Sequence, residues 1–198
     1  NTCLTGEFTI PSTVTEIGNS AFASTDFTKV TFEAESQLSS IGSKAFQGCR
    51  NLQEIALPDT VTELPTQIFD GCSALATVTL PSNIPAIPAN AFKNCTSLGS
   101  IKLPESVSEL DGTAFSGCTS LKTIDTSDSK HFVSEDGLFY NADKTELLRV
   151  LDYKGSSYEM PDSLATIAEG ALVGTTITAI TFPENSTRTA IDANMFKN

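Results

Sequence analysis

Apolar residues recur along this chain in an order that repeats every 23 or 24 residues. Each copy holds two aliphatic residues three positions apart, a phenylalanine five positions after the second, and then a segment in which apolar and polar residues alternate. This alternation is typical of a half-buried β-strand. Because so short a copy cannot bury an apolar side alone, the pattern predicts stacked coils with equivalent residues above one another. The phenylalanines that mark the copies are Phe22, Phe46, Phe69, Phe92 and Phe115.

A proline follows the strand segment of three copies, at Pro58, Pro81 and Pro104. Proline has no N–H group to donate to a neighbouring strand, so it marks the place where the chain turns. Segments before each phenylalanine, such as 42–46, are too short for a stable helix and predict single helical or 3-10 turns. We therefore expect one strand-rich α/β solenoid domain, 1–198, of about seven coils, with repeats at 8–124 and 160–198.

The repeat is interrupted between residues 125 and 159. Asp136-Gly137 separates two short apolar runs there, and this dipeptide favours a tight β-hairpin turn. The segment therefore predicts an inserted β-hairpin or meander that projects from the solenoid. The last copy ends at Met195–Asn198 without a closing strand. Two expectations stay open for this end: it packs on a partner, or the sequence is a fragment of a longer chain.

Charge narrows the classes of partner. The net charge is −12 and the isoelectric point is about 4.4, so the surface repels nucleic-acid phosphates and anionic lipids. Hydrophobic residues make up 39%, which is enough for a folded core. The sequence has no apolar run of transmembrane length, so we expect no membrane insertion from this segment.

The repeat resembles the leucine-rich repeats of the BspA-like, Treponema pallidum type. The similarity rests on the pattern L-P-x-x-V-x-x-I-x-x-x-A-F-x-G-C-x-x-L-x-x-I-x-L, matched almost letter for letter at 80–103 and 103–124. Thr25 and Thr175 depart from it, since they stand where cysteine is expected. The resemblance implies a right-handed solenoid, a bacterial secreted or cell-surface setting, and adhesion or protein binding without catalysis. The implied partners are proteins or glycans, with host extracellular-matrix proteins as candidates.

Four cysteines follow the repeat period. Because they form a linear stack, they cannot converge tetrahedrally on zinc, and we expect buried free thiols, with disulfides between adjacent coils as the alternative. These residues are Cys49, Cys72, Cys95 and Cys118.

Catalytic and cofactor chemistry has little support in the sequence. His131 is the only histidine, and no G-x-S-x-G nucleophile motif accompanies it. The carboxylates around Asp125, Asp128 and Asp136 are too widely spaced for a calcium loop. We therefore expect no catalytic residues, no metal and no cofactor, and the oligomeric state is left open.

The candidate binding surface is the row of outward strand positions, which repeat arrays use for recognition. This row is small and polar, without the aromatic or arginine anchors of strong interfaces. The insert, with Phe139, Tyr140, Arg149 and Tyr153, is a second candidate, unless those side chains form a core of their own. The alternative function is a structural spacer that displays other domains of a larger surface protein. The predicted row consists of Lys29, Thr31, Glu54, Thr77, Thr79, Ser100, Lys102, Thr123, Asp125 and Thr181.

Overall fold

The computed structural model describes residues 5–168, 170–184 and 186. The chain divides into two compact units, Asn1–Ser129 and Lys130–Asn198. Both are made of short strands and turns, and the described residues contain no α-helix or 3-10 helix. The predicted α/β label and the predicted helical turns are therefore wrong. Most of the final repeat copy, including Met195–Asn198, lies outside the described residues.

The first unit stacks its coils through two lines of parallel strands. One line forms a four-stranded sheet in the order β1-β3-β5-β6 and a two-stranded sheet, β8-β10. The second line consists of the pairs β2-β4 and β7-β9. The strands are β1 (Thr5–Ile10), β2 (Glu16–Ile17), β3 (Asp26–Phe32), β4 (Ser40–Ile41), β5 (Glu54–Ala56), β6 (Thr77–Thr79), β7 (Ala86–Ile87), β8 (Ser100–Lys102), β9 (Glu109–Leu110) and β10 (Thr123–Asp125).

The turns before and after each phenylalanine are held by bonds between coils, which explains why no helix forms. Lys44 and Gly48 have φ angles of 61° and 71°, which a right-handed helix excludes. The N–H of Gln47 donates to the carbonyl of Lys44, three residues back, so it closes a turn. Every second N–H in this segment instead donates to the next coil. These bonds run from Lys44, Phe46 and Gly48 to the carbonyls of Thr66, Ile68 and Asp70.

The five repeat phenylalanines form a column through the first unit, as the spacing predicts. Successive ring centroids lie 5.2, 5.6, 5.5 and 5.5 Å apart, and each pair is stacked. Phe46, Phe69 and Phe92 have no exposed surface. Phe8, which belongs to β1 and lies outside the repeat, continues the column at 5.6 Å from the ring of Phe22.

The second unit combines a β-meander with two stacked coils of its own. Strands β11 to β13 pair antiparallel, which confirms the predicted meander. The turn between β11 and β12 is Asp136-Gly137, with φ angles of 50° and 77°, as the dipeptide predicts. The strands are β11 (Phe132–Glu135), β12 (Leu138–Asn141), β13 (Glu146–Val150), β14 (Ser157–Glu159), β15 (Thr166–Ile167) and β16 (Ala179–Thr181).

The meander does not simply project from the coils, because β13 also pairs parallel with β15. Val150 donates its N–H to the carbonyl of Ala171 at 2.9 Å, as the first four repeat phenylalanines do to the coil after each of them. β14 then pairs parallel with β16. Counted unit by unit, the main coil strands number six in the first unit and two, β14 and β16, in the second, about eight turns in place of the predicted seven. The sequence count missed β1, which precedes the first phenylalanine copy, and β14, which lies in the segment predicted as the insert.

The second unit has its own apolar core, formed by the inner side chains of β12, β13 and β14 and by Met160 and Leu164. Tyr140 and Tyr158 belong to this core, and their hydroxyl groups lie 3.1 Å apart. Burial raises the pKa of Tyr140, and the hydrogen bond with Tyr158 adds to this effect. The core therefore contains a paired polar contact that no copy of the repeat pattern encodes.

Candidate binding surface

The strand face is the set of outward side chains on β1, β3, β5, β6, β8 and β10. Its central strands β5, β6 and β8 each have one buried residue between two exposed ones, because strand side chains alternate between the two faces. The parallel register places Glu54 between Lys29 and Thr77 and brings Asp125 beside Lys102. Nine of the ten predicted site residues lie on this face, while Thr181 lies on β16 in the second unit.

Both lysines of the strand face are committed to ion pairs. Lys29 pairs with Glu54 on the next strand, and Lys102 Nζ lies 2.7 Å from Asp128 Oδ2. Hydrogen bonds to these carboxylates raise the pKa of each lysine. Since both pairs are exposed, each contributes little to stability. Because both lysines are paired, Thr77 presents a neutral hydroxyl between two ion pairs on the strand face.

A shallow groove of about 590 Å³ runs over β3, β5 and β6. Its floor includes Thr31, Ala56 and Thr79, which are small side chains that leave the backbone approachable. Glu33 and Asp59 line its rim. Apolar residues line it as well, so the opening offers both polar and apolar contacts to an extended chain. They include Phe32, Leu57 and Pro58.

The rim carboxylates were missed by the sequence analysis. Glu33 accepts a hydrogen bond from the Ser12 N–H at 2.8 Å, and Asp59 accepts one from the Ser82 N–H at 2.7 Å. Each carboxylate thus closes a turn of a neighbouring coil. The signal was available at Pro58-Asp59, since aspartate after a strand-ending proline is a frequent turn residue.

Asp125, at the far end of the predicted row, has a similar local role. Its carboxylate accepts the N–H of Ser127 at 2.9 Å, and this bond lowers the pKa of Asp125. Among the described residues, no group of three or more His, Cys, Asp or Glu side chains is arranged to hold a metal ion.

The insert offers less surface than its composition suggests. Phe139 and Tyr140 are 1% and 4% exposed, so they belong to the interior of the second unit. Tyr153 is half-buried and donates its hydroxyl to the carbonyl of Ser157 at 2.8 Å. The expectation of a separate core is confirmed for Tyr140 and Tyr153, whereas Phe139 packs with Phe132 outside that core. The insert is therefore the weaker candidate for a binding site.

The cysteine ladder is structural. Each of the four thiols is buried and free, which confirms that prediction. Each thiol donates to the carbonyl of the phenylalanine one coil earlier, for example Cys95 Sγ to Phe69 O at 3.2 Å. Burial raises the pKa of Cys95, so this thiol stays protonated and able to donate. Cys3 lies outside the described residues.

The fold and the strand face together define a leucine-rich-repeat solenoid of parallel strands. The model of the BspA-type leucine-rich-repeat region matches residues 15–146 and 153–198 in six copies. The chain belongs to this BspA-type family. Throughout the described residues, no helix is long and apolar enough to span a bilayer.

Solved bacterial structures share this fold. The pneumococcal vaccine antigen PcpA is 28% identical, with a TM-score of 0.80 over 90% of this chain and 45% of its own. A leucine-rich cell surface protein of Faecalibacterium prausnitzii is 28% identical, with a TM-score of 0.68 over 89% of this chain and 60% of its own. The T. pallidum leucine-rich-repeat protein, at 24% identity, a TM-score of 0.57, and 88% and 68% coverage, supports the fold alone.

The chain thus spans 45% and 60% of the first two of these structures, about half their length. A comparison with curated protein sequences gives no match.

Proposed function

We propose that this chain is a non-enzymatic module of a secreted or cell-surface bacterial protein, and that it binds a protein or glycan through the strand face. The observation that carries the proposal is the row of exposed side chains on consecutive parallel strands, in a family whose solved members include a cell surface protein and a vaccine antigen. Host extracellular-matrix proteins are the first partners to test. The net charge of −12 disfavours nucleic acid.

The strand face favours a partner that makes many weak polar contacts. Thr77, Thr79 and Ser100 expose hydroxyl groups, which donate and accept hydrogen bonds, and the two nearby lysines are already paired. The face has no large apolar or aromatic anchor in its predicted row, so a strong binding hot spot is not expected. Affinity would then depend on the number of strands engaged, or on several copies of the protein at one surface.

The experiment compares two arginine variants of one coil, a double variant on the strand face and a single variant away from it. The chain is immobilised and exposed to a panel of matrix proteins and a glycan array. Thr77→Arg/Thr79→Arg alters the strand face and is expected to weaken binding at least tenfold. Thr62→Arg changes an exposed threonine of the same coil, away from the strand face, and is expected to leave binding unchanged. Unchanged circular dichroism melting curves would show that both variants fold.

The alternative is a display spacer without a ligand of its own, which the small polar row also favours. A blank panel with the full-length parent protein, or equal losses for both variants, would contradict the binding proposal. Binding by the parent protein that survives the Thr77→Arg/Thr79→Arg change would favour the spacer.

A further inference from the structure

Within the described residues of the first unit, one junction between coils lacks both of its strand ladders. We call the junction between residues 58–80 and 81–103 the seam. β6 and β8 belong to different sheets, although both lie fully within the described residues. On the second strand line, β7 pairs with β9 and β2 with β4, and the intervening segment 63–64 is in no strand. The junction before it, between residues 35–57 and 58–80, shares the gap on the second strand line but keeps the pairing of β5 with β6. Among the described coils of the first unit, only the seam lacks strand pairing on both lines.

Prolines explain the gap on the second strand line. At the next junction, the N–H groups of Ser108 and Asp111 donate to the carbonyls of Pro85 and Ile87, at 2.9 and 3.0 Å. The residues that would make the equivalent bonds at the seam are Pro85 and Pro88, and proline has no N–H. Two hydrogen bonds that stabilise the other junction are thus impossible here.

The main strand line also lacks a backbone hydrogen bond between coils at this junction. Leu57 donates its N–H to Thr79 at 3.1 Å in the junction before, and Leu103 donates to Asp125 at 2.9 Å in the junction after. No corresponding bond joins Leu80 to Lys102, both of which the structure describes. A second groove of about 590 Å³ lies at this point, with Val78, Leu80 and Pro104 among its lining residues.

The bonds that remain at the seam lie in the turns and the column. The rings of Phe69 and Phe92 stack at 5.5 Å, the Cys95 thiol donates to the Phe69 carbonyl, and the Ser82 N–H donates to Asp59 at 2.7 Å. Because the stability of a solenoid depends on the interfaces between neighbouring coils, the loss of strand pairing leaves the seam dependent on these contacts. The remaining backbone bonds run from Gln67 to Ala89, Phe69 to Ala91, Gly71 to Lys93 and Ser97 to Ser73.

We propose that the seam is a built-in yielding point, the junction at which this solenoid opens first. Opening here separates the strand face between Thr79 and Lys102 while each side keeps its own paired coils. A yielding point of this kind would let a surface-displayed chain lengthen before its coils unfold. It also makes opening of the seam a sub-global event, with a smaller free energy than complete unfolding.

The cysteine ladder supplies an internal reporter. The thiol of Cys95 bonds across the seam, whereas those of Cys72 and Cys118 bond across the junctions before and after it, each at 3.0 Å. The native chain is incubated with a small alkylating reagent without denaturant, and the modified fraction of each cysteine is measured by peptide mass spectrometry. Cys95 is expected to react on the order of tenfold faster than the other two, because fewer hydrogen bonds between coils oppose its exposure.

Two matched variants sharpen the test. Pro85→Ser/Pro88→Gly introduces the residues found at the same positions in other coils, Ser39 and Gly42, and restores both donors. It should slow Cys95 labelling on the order of tenfold relative to Cys72 and Cys118 in the same molecule. Ser108→Pro removes a donor from the next junction and should speed Cys118 labelling several-fold, while Pro104→Ser, which faces no lost donor, should change neither ratio.

Each outcome decides the proposal. Faster labelling of Cys95 that the double variant abolishes supports the yielding point. Equal labelling of the three cysteines, or a Cys95 rate that the double variant leaves unchanged, overturns it. If the double variant folds poorly, the Ser108→Pro arm still decides, because an unchanged Cys118 rate would show that these donors do not control opening.

Discussion

The two units form the same kind of coil with different residues. In the first unit, identical phenylalanines stack at 5.2–5.6 Å and identical thiols bond to their carbonyls. In the second unit, Val150 makes the backbone bond of a column phenylalanine, and a pair of tyrosine hydroxyls lies inside the core. The difference teaches that the coil is defined by its hydrogen bonds between levels, and that the repeated side chains are one way of filling it.

Removing a ring from the column gives the largest expected effect. Phe69 is fully buried and stacks on both neighbours, so Phe69→Ala should reduce the free energy of unfolding by about 3–5 kcal/mol. Urea unfolding followed by circular dichroism measures this loss. Phe8→Ala is the control, since Phe8 is 37% exposed and should cost clearly less. Equal losses would mean that the column is not the centre of the first unit.

Two glycines compare a crowded turn with an open one. Gly117 has a φ of 75°, and an added Cβ would lie 2.3 Å from Asn94 Oδ1. Gly174 in the second unit has a φ of 76°, with no described atom within 4 Å of an added Cβ. Gly117→Ala should therefore cost about 2–3 kcal/mol and Gly174→Ala about 1 kcal/mol, the cost of the backbone conformation alone. Thermal melts of both variants test this order, and a reversed order would contradict the packing of the Asn94 turn.

Alkaline pH should lower the stability of the two units over different pH ranges. Burial raises the pKa of Cys95, so the folded thiol stays neutral while the unfolded thiol ionises near pH 8.5. The stability from this thiol is complete below pH 8.5 and is lost as pH rises, by about 1–2 kcal/mol at pH 10. Urea unfolding at pH 7 and pH 10 should show a smaller pH-dependent loss for Cys95→Ala than for the natural chain. The same loss in both would contradict the account.

The second unit contains all three tyrosines of the chain, and these predict the pH range over which that unit loses stability. Because the pKa of Tyr140 is raised, its stabilising contribution is complete below about pH 10 and is lost above it. Ultraviolet absorbance at alkaline pH should show ionisation of this tyrosine only as the unit unfolds. A Tyr140→Phe variant should lose that late phase.

The smallest expected effect concerns the exposed ion pair of Lys102 and Asp128. Lys102→Gln should lower the free energy of unfolding only slightly, and by less still at high salt, because exposed pairs are screened. Denaturant unfolding at low and high salt measures both values. A loss as large as that of Phe8→Ala would mean that the pair is more important to the strand face than its exposure indicates.

Much of the fold could be predicted because the first unit repeats side chains. The spacing of the phenylalanines and cysteines predicts their columns, and Asp136-Gly137 predicts its turn. The positive φ angle of Lys44 could not be predicted, since lysine rarely adopts it and the bonds to the next coil impose it. The role of β13 could not be predicted either. Its place in a coil depends on backbone hydrogen bonds to β15, which no side-chain pattern indicates.

The candidate surface was predicted only in part. Strand alternation identifies which side chains point outward, so Thr77 and Thr79 could be placed from sequence. The ion pair between Lys29 and Glu54 could not, because it requires the register of two strands 25 residues apart. The seam could not be predicted from side-chain patterns either, because Pro85 and Pro88 affect it through the backbone N–H groups that proline lacks.

Double-mutant cycles along the column test the central claim, that equivalent residues of successive coils lie directly above one another. Phe46→Leu and Phe69→Leu affect rings 5.6 Å apart, and their coupling should be about 0.5–1.5 kcal/mol. Phe46→Leu and Phe92→Leu are separated by one ring and should be additive to within about 0.5 kcal/mol. Strong coupling for the first pair alone is the predicted result. Additive losses in both pairs would contradict the stacked column, and with it the alignment of the coils.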